Sequence, residues 1–148
     1  MFFGTQCIHI HIYTFVVAPL KGCPTDVVFV LDESGSIGRA NFARVKSFLS
    51  KLVGRLDIDS GNTRVGLVTF ATTVGTVINL NAHSSVASIR SAISSLRYTG
   101  GNTNTSGALA YVRTTMLTSA AGDRSNVPNV VVVLTDGQSD SHSDTRVS

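Results

Sequence analysis

The sequence predicts an α/β fold in which helices cover both faces of a mostly parallel central sheet. Three observations carry the prediction. Two apolar runs, Val27 to Leu31 and Val130 to Leu134, are continuous rather than alternating, as strands buried on both faces are. Each run ends abruptly in turn-forming residues that include an acid, Asp32 after the first and Asp136 after the second. Between the runs lie segments whose apolar residues recur at helical spacing.

The first strand is expected over Asp26 to Leu31, followed by the loop Asp32-Glu33-Ser34-Gly35-Ser36-Ile37-Gly38. A strongly amphipathic helix follows over Asn41 to Leu56. Phe42, Val45, Phe48, Leu49, Leu52, Val53 and Leu56 share one face, and Arg39, Arg44, Lys46, Lys51 and Arg55 take the other. Asp57 to Asn62 is a turn cluster. Arg64 to Ala71 reads as a second strand. Thr72 to Leu80 is more polar, contains Gly75, and suits an antiparallel edge strand joined by a short hairpin.

Ser84 or Ser85 can cap a helix over Val86 to Leu96. The glycine-rich loop Tyr98 to Gly107 leads into a further helix, Ala108 to Leu117. Asp123 to Asn129 is a turn region broken by Pro128, and Val130 to Leu134 is the last strand. The resulting order, β-α-β-β-α-α-β, is that of a doubly wound, Rossmann-like sheet with one antiparallel edge strand.

Composition narrows the function. A chain of 148 residues, 43% apolar and 14% charged, suffices for one domain with a packed core. The net charge of +3 is spread along the chain without a run of five Lys or Arg, and there is no tryptophan, so no nucleic-acid footprint is visible. Cys7 and Cys23 are too few to define a disulfide framework, and their states as paired, free or bonded elsewhere stay open. Residues 1–22 form an N-terminal extension whose apolar part, Cys7 to Leu20, is too short to span a membrane. It reads as a signal peptide, a mis-predicted start, or an extra edge segment in which His9 and His11 alternate with Ile8, Ile10 and Ile12.

If the two apolar strands are parallel neighbours, their C-terminal loops meet, and the glycine-rich loop joins them at the same end. That convergence gathers Asp32, Ser34, Ser36, Thr103 and Asp136, all hard oxygen donors that suit Mg²⁺, Mn²⁺ or Ca²⁺ rather than zinc or copper. With the hydroxyls of Ser34, Ser36 and Thr103 binding directly and the two acids acting through water, the ion keeps much of its positive charge. An open position then attracts an external carboxylate. Glu33 reads as a solvated loop acid. The Asn104-Thr105-Ser106 sequon is expected to carry no glycan, which would crowd the loop, and Asp136, Asp140 and Asp144 read as part of a solvated tail. Enzyme motifs do not fit. There is no G-x-S-x-G frame, no Walker loop, and Ser34 stands where a phosphotransferase would need a second aspartate.

Asp32-x-Ser34-Gly35-Ser36, Thr103 and Thr135-Asp136-Gly137 together resemble the von Willebrand factor type A domain and its metal-ion-dependent adhesion site, over residues 23 to about 140. The style of the motifs is similar to the matrilin and non-fibrillar collagen branch. The resemblance implies a non-enzymatic extracellular module that binds acidic residues of matrix or cell-surface proteins through the metal. A different class, an intracellular type A subunit of an ATP-driven chelatase-like assembly, is the alternative. It also implies that residues 23–148 are a partial domain, incomplete at the C-terminus, and that Cys23 lacks the late cysteine that pairs with its counterpart in matrix-type members. A fragment without independent function is the third expectation.

Overall fold

The computed structural model describes residues 23–135. The N-terminal extension with Cys7, His9 and His11, the acid Asp136, and the tail lie outside the described residues. The elements are β1 (Thr25–Asp32), α1 (Arg39–Val53), β2 (Thr63–Phe70), β3 (Val74–Ile78), α2 (Val86–Ser94), α3 (Thr105–Tyr111) and β4 (Asn129–Leu134). A π-turn over Val112–Met116 and a short 3₁₀ turn over Ser119–Ala121 follow α3.

The sheet order is β3-β2-β1-β4. β1 runs parallel to both neighbours, with Phe29 opposite Leu67 on β2 and Val132 on β4. β3 is antiparallel to β2 and forms the edge. The mostly parallel, doubly wound fold expected from the sequence is therefore present, and the two apolar runs are neighbours.

Alternation along β1 divides the core into two layers, because successive side chains point to opposite faces of a strand. Val27, Phe29 and Leu31 pack with Phe42, Val45 and Leu49 of α1 and Ile89 and Ile93 of α2. Val28 and Val30 pack with Val68, Phe70, Leu80, Ala108, Val112 and Met116 on the α3 face. A continuous apolar run is what a central strand covered on both faces requires, and every residue of β1 is buried.

The structure departs from the sequence reading in several places, and α1 runs over Arg39–Val53 rather than Asn41 to Leu56. Val130, Val131 and Val132 of β4 are only half-buried, because among the described residues β4 pairs on one side alone, with β1. The third helix begins at Thr105 rather than Ala108, where the Asn104 side chain accepts from Gly107 N at 3.0 Å. It then widens into the π-turn. Leu117 N donates to Val112 O at 2.9 Å, and the Thr114 hydroxyl donates back to Ala110 O at 2.8 Å. Finally, β3 is confined to Val74–Ile78, since Ala71 N turns back to Thr73 O at 3.0 Å and closes the hairpin early.

One polar cluster locks the opposite end of the sheet. Asp26 is fully buried at the start of β1, and Arg124 reaches it from the connection before β4 through Nε at 2.8 Å and Nη2 at 2.6 Å. Arg124 N donates to the second carboxylate oxygen at 2.8 Å, and its guanidinium also donates to Gly61 O, Asn62 O and Thr25 O. One side chain thereby ties together the starts of β1, β2 and β4. A buried carboxylate stripped of its cation costs about 3–5 kcal/mol. Arg124→Ala is expected to lower the unfolding free energy by about 3 kcal/mol in urea melts. A double-mutant cycle with Asp26→Asn should give less than the sum of the two single losses.

Candidate functional site

The site lies at the carboxyl ends of β1 and β4. Asp32 closes β1 and is fully buried. Its Oδ1 accepts from Ser34 N at 2.8 Å, bending the chain sharply out of the strand, and its Oδ2 accepts from the Thr135 hydroxyl at 2.8 Å. The second contact follows from register. Leu31 pairs with Leu134, so the next residues on the two parallel strands, Asp32 and Thr135, stand side by side.

Ser34 is buried and Ser36 exposed, and their hydroxyl oxygens lie 2.9 Å apart. The loop that presents them is clamped to the glycine-rich loop. Gly35 N donates to Gly101 O at 2.8 Å, Gly100 N donates to Glu33 O at 3.0 Å, and the Tyr98 hydroxyl donates to Ser34 O at 3.1 Å. Gly101 has φ +107°, and a Cβ there would stand 2.9 Å from the Thr72 hydroxyl oxygen, so the close approach of the loops depends on glycine.

Thr103 is buried, at 4% exposure, between two anchored neighbours. Asn102 N donates to the Thr72 hydroxyl at 3.0 Å, and Asn104 N donates to Ala71 O at 2.8 Å. The structure thus brings Asp32, Ser34 and Ser36 into direct contact and fastens the Thr103 loop against them. Asp136, one residue beyond Thr135, lies outside the described residues. The Asn104 oxygen caps α3 and its amide nitrogen faces Thr72 O at 3.5 Å, an arrangement that a glycan on that nitrogen would have to break.

Glu33 corrects the sequence reading. It is not a solvated loop acid but is 3% exposed. Its carboxylate is hydrogen-bonded to Thr99 and Thr69 and lies against Gly75 of β3, where a Cβ would stand 2.5 Å from Glu33 Oε1. Burial pushes its carboxyl up, the bonds from Thr99 and Thr69 pull it back, and the charge of Asp32 adds to the rise. Two acids on consecutive residues are therefore both buried at the end of β1, one turned toward β4 and one toward β3.

Thr135 and Tyr98 were not singled out from the sequence as site residues. Thr135 was detectable, since equal strand ends place the residue after the second apolar run beside the acid after the first. Tyr98 carried no local signal, because its partner, Ser34 O, is a backbone atom on a distant loop. All the described side-chain donors at the site are oxygens. Among the described residues, no group of three or more His, Cys, Asp or Glu is placed to hold a metal, so any ion here would depend on hydroxyls.

A family model for the von Willebrand factor type A domain matches residues 26–148. The chain is 42% identical to mouse matrilin-1 over 118 residues, covering 78% of this chain and 24% of matrilin-1. It is 39% identical to the mouse collagen alpha-4(VI) chain over 121 residues, covering 80% of this chain and 5% of the collagen. The chain therefore spans a quarter or less of the length of these relatives. Among solved structures, proximal thread matrix protein 1 from the mussel byssus, with a zinc-occupied MIDAS motif, matches at TM-score 0.70 and 31% identity, covering 81% of this chain and 30% of that one. A second crystal form of the mussel protein matches at TM-score 0.74 and 24% identity, over 80% of this chain and 32% of that one, and supports the fold.

The Thr135–Asp32 bond makes a direct prediction. Thr135→Val keeps the side-chain volume but removes the donor from a buried carboxylate oxygen. The expected loss is about 1–3 kcal/mol of stability, read by thermal melting. Thr135→Ser should restore most of it.

Proposed function

The chain belongs to the von Willebrand factor type A domain family, in its matrilin and collagen-like branch, and from that premise we propose an extracellular binding module that grips an acidic side chain through a divalent cation. The observation that carries this reading is the oxygen cluster at the ends of β1 and β4. There a buried carboxylate with both oxygens engaged stands behind two serine hydroxyls only 2.9 Å apart.

The donor set fits such an ion. Ligands at right angles and about 2.1 Å from a metal lie about 3.0 Å from one another, which matches the Ser34–Ser36 separation. The longer bonds of Ca²⁺, at the smaller ligand angles of seven-coordination, give a similar spacing, so the same separation accommodates Mg²⁺, Mn²⁺ or Ca²⁺. The mussel relative with zinc in the equivalent motif supports a divalent ion in general. In the proposed assignment Ser34, Ser36 and Thr103 supply direct oxygens, and Asp32 and Asp136 act through water. A bound ion would supply positive charge and an open position for a partner's carboxylate.

The chain's own residues hold that arrangement ready. Asp32 orients Ser34 through the backbone. Thr135 keeps the Asp32 carboxylate aligned toward β4. Tyr98 and Gly101 clamp the serine loop through Ser34 O and Gly35 N. Nothing in this set is placed to act as a nucleophile with an adjacent base, which favours binding over catalysis. The partner would be a matrix or cell-surface protein presenting an Asp or Glu. Membership of the matrilin and collagen-like branch gives the extracellular setting, and no helix among the described residues is long and apolar enough to cross a membrane.

The test is thermal melting with and without Mg²⁺. A native-state ligand at a hundred times its dissociation constant adds about 2.7 kcal/mol. The parent should gain stability with Mg²⁺ or Mn²⁺ and lose the gain with a chelator. Ser36→Ala, at an exposed position, should leave the metal-free melt unchanged and weaken the gain, and Asp32→Ala should abolish it. An equal gain in all three proteins would rule out the assigned ligands.

A further inference from the structure

We propose that the outer face of α1 and α2 is a docking surface for a sulfated polysaccharide, separate from the oxygen cluster. The starting observation is an asymmetry of charge. No Asp or Glu occurs between Glu33 and Asp57, or between Asp59 and Asp123, so neither helix carries an acid. Within each helical segment the cations are two to seven residues apart, which hides them from any search for a basic run. The fold collects them.

Two of these cations set the geometry. Lys46 Nζ donates to Ser94 O at 3.0 Å and to Leu96 O at 2.8 Å, and Arg90 Nε donates to Ser50 O at 2.9 Å. These struts hold α1 and α2 side by side and antiparallel. Arg44, Lys51 and Arg55 then fall on one stripe of α1 and the turn that extends it. Seven residues turn a helix to within about 20° of two full turns, and the axial steps are about 10 Å and about 6 Å.

All three are exposed, as are Arg39, Arg90 and Arg97 on the same layer. Among the described residues the salt bridge is Arg124 to Asp26, at the other end of β1, and none of these six has a carboxylate partner. The acids nearest the far end are already engaged: Asp57 accepts from Asn62 Nδ2 at 2.8 Å, and Asp59 accepts from Val86 N at 2.9 Å.

Neighbouring charges along this stripe lie about one Debye length apart at physiological salt. They repel, and a linear polyanion relieves the repulsion while releasing its own counterions. The rest of the face selects among polyanions. Apart from the cations, the exposed residues of α1 and α2 are serine and alanine, so no large apolar group is available to enter a membrane. The aromatic rings here are buried or half-buried, and Tyr98 is covered by Phe42 and by the Arg39 guanidinium, 5.4 Å from its ring centre. Stacking platforms for single-stranded nucleic acid are therefore missing from this face. Sulfate groups on a flexible hydroxylated chain match what is offered, which is guanidinium, ammonium and serine hydroxyl.

The experiment uses heparin as the probe, with the full chain, the triple variant Arg44→Gln/Lys51→Gln/Arg55→Gln and, as a charge control off the face, Arg113→Gln. The parent should bind heparin in 0.15 M NaCl, with affinity falling linearly on a log–log plot against salt. The triple variant should melt like the parent, bind at least about tenfold more weakly and show a slope smaller by about 2, while Arg113→Gln binds as the parent does. A chelator and Ser36→Ala should leave heparin binding unchanged, so that failure of the metal reading and of this one are distinguishable. No retention of the parent, or equal binding by the triple variant, would overturn the proposal. So would equal competition by duplex DNA of matched charge, or by phosphatidylserine vesicles.

Discussion

The site depends on a buried charge at the end of the central strand. Asp32 is fully buried, and an ionised carboxylate removed from water is tolerated only when it is hydrogen-bonded or paired. Bonds to it from Ser34 N and from the Thr135 hydroxyl reach in different directions along the molecule. One shapes the loop that presents Ser34 and Ser36. The other fixes the end of β4 against the end of β1. A single carboxylate thus links the local turn and the sheet register, and in the proposed reading it stands behind the cation.

The second buried acid extends that constraint to the sheet edge. Glu33 is held by Thr69 and Thr99 over Gly75, and its backbone accepts from Gly100 N and donates to Phe70 O. β2, β3 and the glycine-rich loop are consequently anchored to the residue beside Asp32. The opposite end of β1 is organised the same way, with Asp26 neutralised by Arg124. The central strand is apolar along its length and carries its acids at the two ends, where the chain supplies donors from three other segments.

Much of this was legible in the sequence because it is periodic or punctuated. The unbroken valine-rich runs could belong only to strands covered on both faces or to a buried helix, and the following turn residues settled the choice. Ser85 capped α2 where expected, accepting from Ser88 N at 3.2 Å. What was not legible is what depends on distant partners. Glu33 has the composition of a solvated loop residue, and only the hairpin that covers it makes it buried. The π-turn after α3, closed by Leu117 N on Val112 O with the Thr114 hydroxyl bonded back to Ala110 O, is something no apolar period encodes. The charged face was visible as one side of α1, but its union with Arg90 and Arg97 needed the struts between the helices.

Two chemistries then sit on adjoining surfaces. Oxygen-bearing side chains gather at the carboxyl ends of β1 and β4, and cations line the flank, with Arg39 over Tyr98 at the border between them. The central claim concerns the first. Its most direct test is X-ray absorption at the manganese edge after loading with Mn²⁺ and removal of excess metal. The account predicts one retained ion with a first shell made of oxygen alone, lost in Ser34→Ala. A retained ion with nitrogen or sulfur in its shell, or one unaffected by Ser34→Ala, would contradict it.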